Sequence, residues 1–354
     1  MKRLLTVLLL LTWCHRGMAI DEVADATAKF LAGLPVRGTS LESRSLDPEW
    51  ATHAAELDRA WARLQQEQLS KIRAWAPQFL GDLYNDKGPV FYMFSGPDFL
   101  YAKTFFPDAQ TYILCGKEEI GPIPNIGPIT RDALPAALGN LRKSLDSVLS
   151  WSFFISKQLR ADIAQTQLSG TLPVLYVFLA RAGAAIDSVS LISVDNNGDI
   201  AGNGKTPAVK IVFTKPNSAE QTLYYFTTDV SDDGIKSAPG FMKFCEKQVP
   251  GVSLLKASSY LMHEGGFAKV REFLLASSKV IVQDDSGIPI KFFDDAKWNI
   301  RYCGNYLAPI PTFKQYWQPD LAQRYAAASP APLGFGFGYE WQPNRSSLIV
   351  AVRK

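Results

Sequence analysis

The chain has 354 residues, with 37 Lys+Arg against 34 Asp+Glu, 47% apolar residues and 12% aromatics. This balance excludes an intrinsically disordered chain, which needs low hydrophobicity and high net charge. It also excludes a general nucleic-acid binder, because there is no Lys/Arg-rich run to follow a phosphate backbone.

The first nineteen residues have the form of a secretory signal peptide. Lys2 and Arg3 make a basic start, and Leu4 to Leu11 is apolar apart from Thr6. Gly17-Met18-Ala19 places small residues where a signal peptidase reads. The apolar stretch is too short to span a bilayer. Trp13 before Cys14 argues against a lipid anchor, which wants a small residue there. The expected product is a periplasmic or secreted protein cleaved after Ala19. Removing Lys2, Arg3 and Arg16 leaves 34 basic against 34 acidic residues, so long-range steering of a charged partner is not expected. No later apolar run reaches 18 residues, so no membrane span is expected.

Cys115, Cys245 and Cys303 follow the leader, each in an apolar neighbourhood, and read as buried free thiols. No CxxC or CxxH spacing supports a metal site.

Residues 20–88 read as an N-terminal helical segment. Asp47-Pro48-Glu49 is a strong helix start. Trp50, Ala54, Leu57, Trp61 and Leu64 then form one apolar stripe. The pattern predicts a helix ending at Ala76, before Pro77, with Gln65, Gln66 and Gln68 interrupting the stripe. His53, beside it, is expected at the surface or hydrogen-bonded rather than as a ligand.

Residues 89–354 read as an α/β domain. Pro89 to Phe94 is a predicted strand, Phe99 to Phe106 an amphipathic helix, and Gln110 to Cys115 a second strand. Strand, helix, strand over this length is a βαβ unit with parallel strands. Two amphipathic helices are expected within 131–168 and a third over Leu172 to Ala182. A strand over Val189 to Val194 leads to the turn Asp195-Asn196-Asn197-Gly198-Asp199. That turn lacks a calcium loop's glycine and glutamate, with Ile200 and Thr206 in their places. Val209 to Phe213 and Thr222 to Thr227 read as an antiparallel hairpin. Helical signals cover Pro239 to Lys247 and Lys256 to Ala276, and strands Lys279 to Gln283, Asn299 to Cys303 and Leu348 to Val352. The predicted fold class is α/β: a mixed, partly parallel sheet flanked by helices.

Two segments carry candidate chemistry. Ser95-Gly96-Pro97-Asp98 lies between a strand and a helix, where open α/β sheets bind ligands. Ser95 with Asp98 fits a capping box, Gly96 allows close backbone approach, and the helix start favours an anion. Glu118 and Glu119 follow the second strand, as an acidic residue does in nucleotide-binding folds, but the full glycine fingerprint is missing. Ser95, Gly96, Asp98 and Glu118 are therefore candidate contacts to a small polar ligand, and no cofactor is implied.

The second segment holds Lys256, Ser259, Tyr260 and His263 on neighbouring faces of an expected helix, then Asp284 and Asp285 at a strand end. A His263–Asp pair as base, with Ser259 or Ser286 as nucleophile, would make a hydrolytic site. A polar turn and a solvated helix face are the alternative, and there is no G-x-S-x-G elbow. Gly334-Phe335-Gly336-Phe337-Gly338-Tyr339 is either an aromatic ligand loop or packing against the sheet.

Phe94 to Tyr101, Phe105-Phe106-Pro107, Lys256 to His263 and Gln283 to Pro289 together resemble a group of uncharacterised exported bacterial proteins. The resemblance spans nearly the whole chain after the leader. It implies a bacterial source and export, and no activity or catalytic residue. Two function classes follow: a binding or envelope-associated protein with a polar cleft, or a hydrolase using the His/Asp/Ser set. If the strands before Ser95 and Asp284 run the same way, both loops share one sheet edge and one site. N-terminal sequencing of the secreted product should begin at Ile20; a product retaining a lipidated Cys14 would refute the leader assignment.

Overall fold

The computed structural model describes residues 20–354 apart from 152, 155–158, 160–161, 163–166 and 217. The expected leader and most of the second helix anticipated within 131–168 lie outside the described residues.

Among the described residues nine strands form one sheet. They are β1 (Val90–Tyr92), β2 (Thr111–Gly116), β3 (Ala185–Val194), β4 (Thr206–Thr214), β5 (Gln221–Thr227), β6 (Gly251–Leu255), β7 (Ser278–Gln283), β8 (Trp298–Gly304) and β9 (Ser347–Arg353). Their order is β3-β4-β5-β2-β1-β6-β7-β9-β8. The five central strands, β5 to β7 in that order, are parallel, and antiparallel pairs close both edges. The fold is thus the mixed α/β sheet expected.

Strand periodicity divides the apolar residues between two cores. Val90, Tyr112, Leu114, Val280 and Val282 face one layer, and Phe91, Met93, Ile113 and Ile281 face the other. The first core is covered by α1 (Glu22–Leu31), α2 (Pro48–Leu64), α3 (Ser70–Leu80), α4 (Phe99–Phe105), α5 (Leu134–Trp151) and α6 (Leu172–Arg181). The second lies under α7 (Asp232–Ser237), α8 (Gly240–Glu246), α9 (Ala268–Ser277) and α10 (Pro319–Ala327). The 20–88 helices share the first core with the sheet. Cys115, Cys245 and Cys303 are free and buried, as expected.

Three expectations need correction. The second long helix does not stop before Pro77: a π turn at Gln65–Leu69 joins α2 to α3, which continues to Leu80 with Pro77 inside it. The glutamines that interrupt the stripe sit in that turn, and Gln68 Oε1 accepts the Gly336 amide at 3.1 Å. Phe99 to Phe105 is not amphipathic; all seven residues of α4 are buried between sheet and outer helices. Lys256 to Tyr260 is a loop rather than the start of a helix, and α9 begins only at Ala268.

His53 is buried and fully hydrogen-bonded. Nε2 lies 2.9 Å from the Leu31 carbonyl oxygen and Nδ1 lies 3.0 Å from Arg142 Nη1. Those partners suit a neutral ring, with Nε2–H donating to Leu31 and Nδ1 accepting from Arg142. Burial, with the Arg142 and Arg181 charges, pushes its pKa down to about 4, against a contribution from the Leu31 bond. An unfolded histidine takes up its proton near pH 6.5. The stability tied to neutral His53 is therefore complete above pH 6.5 and is lost as pH falls towards 4. Compared with His53→Gln in urea titrations, the wild type should lose roughly 2–3 kcal/mol more between pH 7 and 4. Parallel curves for the two proteins would contradict this account.

Candidate functional site

The chain leaves β1 for β2 through α4 on one face, and leaves β6 for β7 through α9 on the other. Neighbouring strands β1 and β6 thus send their loops in opposite directions, which opens a crevice at their carboxyl ends. A cavity of about 1240 Å³ occupies that crevice. Its polar wall comes from the loops after β1, β2 and β6, through Ser95, Gly96, Asp98, Glu118, Lys256 and Ser259. Phe94, Phe153, Phe154, Phe267, Phe313 and Tyr339 supply an aromatic wall.

A buried ion pair crosses the crevice. Lys256 Nζ lies 2.8 Å from Asp98 Oδ2, with the two side chains 1% and 2% exposed. Asp98 is also the N-cap of α4, since Oδ1 accepts the Tyr101 amide at 3.2 Å. Tyr92 donates its hydroxyl to Oδ2 at 2.8 Å. The ammonium stands 3.1 Å from the Tyr101 ring centroid, a cation–π contact on its second side. Burial pushes the Lys256 pKa down to about 8 and the Asp98 carboxyl upward, each opposed by the partner's charge.

Behind this pair sits a second carboxylate layer. Asp284 Oδ2 accepts the Ala257 amide at 3.2 Å, and Oδ1 accepts Ser286 Oγ–H at 2.6 Å. Asp285 accepts the Tyr260 hydroxyl at 2.5 Å and Ser347 Oγ–H at 3.1 Å. Burial raises the pKa of both carboxyls, and Asp285 adds repulsion at Asp284. Gly338 is required here: it adopts φ +74°, and a Cβ on it would stand 1.9 Å from Asp284 Oδ2.

The left-handed non-glycine residues of the described chain are Phe94, Ala257, Ser259 and Tyr260, all at this sheet edge. Each such residue costs roughly 1–2 kcal/mol, and strain of this kind persists where surrounding contacts over-determine it. The contacts are present. Ser286 Oγ accepts the Ser258 amide at 2.7 Å, and Tyr339 Oη accepts the Ser259 amide at 3.2 Å. Tyr339 donates to the Ala257 carbonyl at 3.0 Å. The Tyr260 ring stacks on Tyr316 at 5.1 Å.

Of the nine candidate residues, six meet in the cavity wall: Ser95, Gly96, Asp98, Glu118, Lys256 and Ser259. Asp284 reaches the site through the Ala257 amide, one layer behind. The loops after β1 and β7 therefore join one assembly, with the β6 loop between them. Asp285 and His263 lie away from the wall. His263 corrects the hydrolytic expectation: its Nε2 is buried without a partner, and its ring lies against Tyr260 and Tyr316. It hydrogen-bonds no carboxylate, because the 256–260 segment turns through left-handed residues instead of the helix that would have aligned it. Burial holds its pKa down at about 4. The capping box is corrected too. Asp98 caps α4 itself, while Ser95 donates to the Gly96 carbonyl at 2.7 Å, so a carboxylate already occupies the helix start expected to bind an anion.

Sequence reasoning missed Tyr92, Tyr101, Phe153 and Phe267 in this site; they carry no local signal beyond β-forming or apolar character. The 334–339 loop divides between its two readings: Phe335 and Phe337 are buried in the first core and Tyr339 lines the cavity. Among the described residues no group of three His, Cys, Asp or Glu side chains could hold a metal ion. No helix among them is long and apolar enough to cross a membrane. No family model, curated relative or solved structure matches the chain.

Asp98→Asn keeps the helix cap but leaves the Lys256 ammonium buried beside a neutral group. It should lower stability by about 3–5 kcal/mol. Lys256→Met added to Asp98→Asn should recover much of that loss. A denaturant double-mutant cycle with no coupling between the two sites would show that the pair carries no such weight.

Proposed function

We propose that this is an exported binding protein that holds a small molecule in the cavity above β1, β2 and β6. The observation carrying the reading is the cavity itself: about 1240 Å³ of space at the point where the parallel strands diverge, the place where open α/β sheets take ligands. Its aromatic wall suits an apolar body, and its polar groups suit a head group. Export rests on the leader-like residues 1–19. Binding is preferred to hydrolysis because the His263 base lacks its carboxylate and Ser259 contacts Tyr339 instead of a base, at 3.0 Å.

A fragment library screened by thermal shift should yield compounds that raise the melting temperature, since a ligand of the folded state stabilises it. Hydrogen exchange with these compounds should show new protection at residues 94–98, 116–121 and 256–260. Protection confined to other parts of the chain, or no stabilising compound at all, would overturn the reading.

A further inference from the structure

Glu118 is the group in the cavity wall whose needs the described residues leave unmet. It lies two residues beyond the end of β2 and is 1% exposed. Its main-chain carbonyl accepts Thr227 Oγ1–H at 2.8 Å, which fixes the residue in place. The Tyr225 hydroxyl lies 3.0 Å from that same carbonyl and 3.3 Å from Oε2, so one proton serves two acceptors. Oε1 is buried with no hydrogen-bond partner among the described residues. Room for the carboxylate is made by glycine: a Cβ on Gly116 would stand 2.2 Å from Oε2.

The charges around it sharpen the requirement. Lys256 is committed to Asp98, and Lys117 to Asp229 at 3.0 Å on the rim. Among the described residues no lysine, arginine or histidine forms an ion pair with Glu118. Among the described residues the cavity wall holds four carboxylates (Asp98, Glu118, Glu119, Asp229) and two lysines (Lys117, Lys256), a formal excess of two negative charges. Burying an ionised carboxylate without a counter-charge is costly, and buried charges in folded proteins are paired.

Resting on the reading of this cavity as a ligand site, we infer that its ligand is a protonated organic amine with an apolar body. The ammonium donates to Glu118 Oε1, which supplies both the missing hydrogen bond and the missing charge. The body lies against the aromatic wall, where ring faces also favour a cation. A neutral alcohol satisfies the hydrogen bond and leaves the charge uncompensated. A carboxylic acid brings a further negative charge and is repelled.

Three probes with one skeleton separate these cases: 4-phenylbutylamine, 4-phenylbutanol and 4-phenylbutyrate, titrated calorimetrically into the full-length mature protein at pH 7. The amine should bind at least tenfold more tightly than the alcohol, with the butyrate weakest. Glu118→Gln should abolish the amine's advantage over the alcohol. The wild-type ranking tests the assignment by itself if that variant does not fold. Alcohol and amine binding equally, or an amine preference that survives Glu118→Gln, overturns the amine assignment and leaves the cavity a ligand site. No binding of any probe at millimolar concentration, with no fragment protecting the cavity amides, overturns both readings.

Discussion

The Lys256–Asp98 pair is the interaction on which this sheet edge depends. Lys256 directly follows β6 and Asp98 caps α4, so one bond of 2.8 Å ties together the two loops that diverge from neighbouring strands. An ion pair so deeply buried is not a source of stability in itself, because desolvation offsets most of the attraction. What it supplies is position. The ammonium is directed by Asp98 on one side and the Tyr101 ring on the other. The carboxylate is directed by the Tyr92 hydroxyl and the Tyr101 amide. These contacts fix the two loops against each other at the mouth of the cavity.

The rest of the site is organised in shells around that bond. The Ala257 amide, next in sequence to Lys256, is held by Asp284, which is held in turn by Ser286. Tyr260 reaches Asp285, and Asp285 reaches Ser347 at the start of β9. The chemistry is therefore shared among β1, β6, β7 and β9, which meet as neighbours only through the strand order. Gly338 belongs to the same arrangement although it lies on none of these strands, because only a residue without a Cβ passes Asp284.

Much of this was legible in the residues alone. Apolar runs bounded by turn residues located the strands, and the βαβ spacing between Val90 and Gly116 implied the parallel core that the register bears out. The loop Ser95 to Asp98 stood out for the same reason: it joins such a strand to such a helix. What was not legible was conformation decided by distant partners. Lys256, Ser259, Tyr260 and His263 have helical spacing, yet contacts from Ser286 and Tyr339 hold a segment in which Ala257, Ser259 and Tyr260 are left-handed. No local propensity encodes a partner 28 or 80 positions away. The extension of the long helix past Pro77 was hidden in a similar way, since a π turn has no strong residue signature.

The left-handed loop has a consequence for recognition. Backbone held in a rare conformation by stacked tyrosines and buried carboxylates has few other shapes to visit, so the pocket is preorganised. For the binding role proposed above, a ligand would order little that was not already ordered, and less of its binding free energy would be consumed by immobilising the protein. Under the proposed binding role, selection would then follow the fit and charge of the cavity as it stands, not its adaptation.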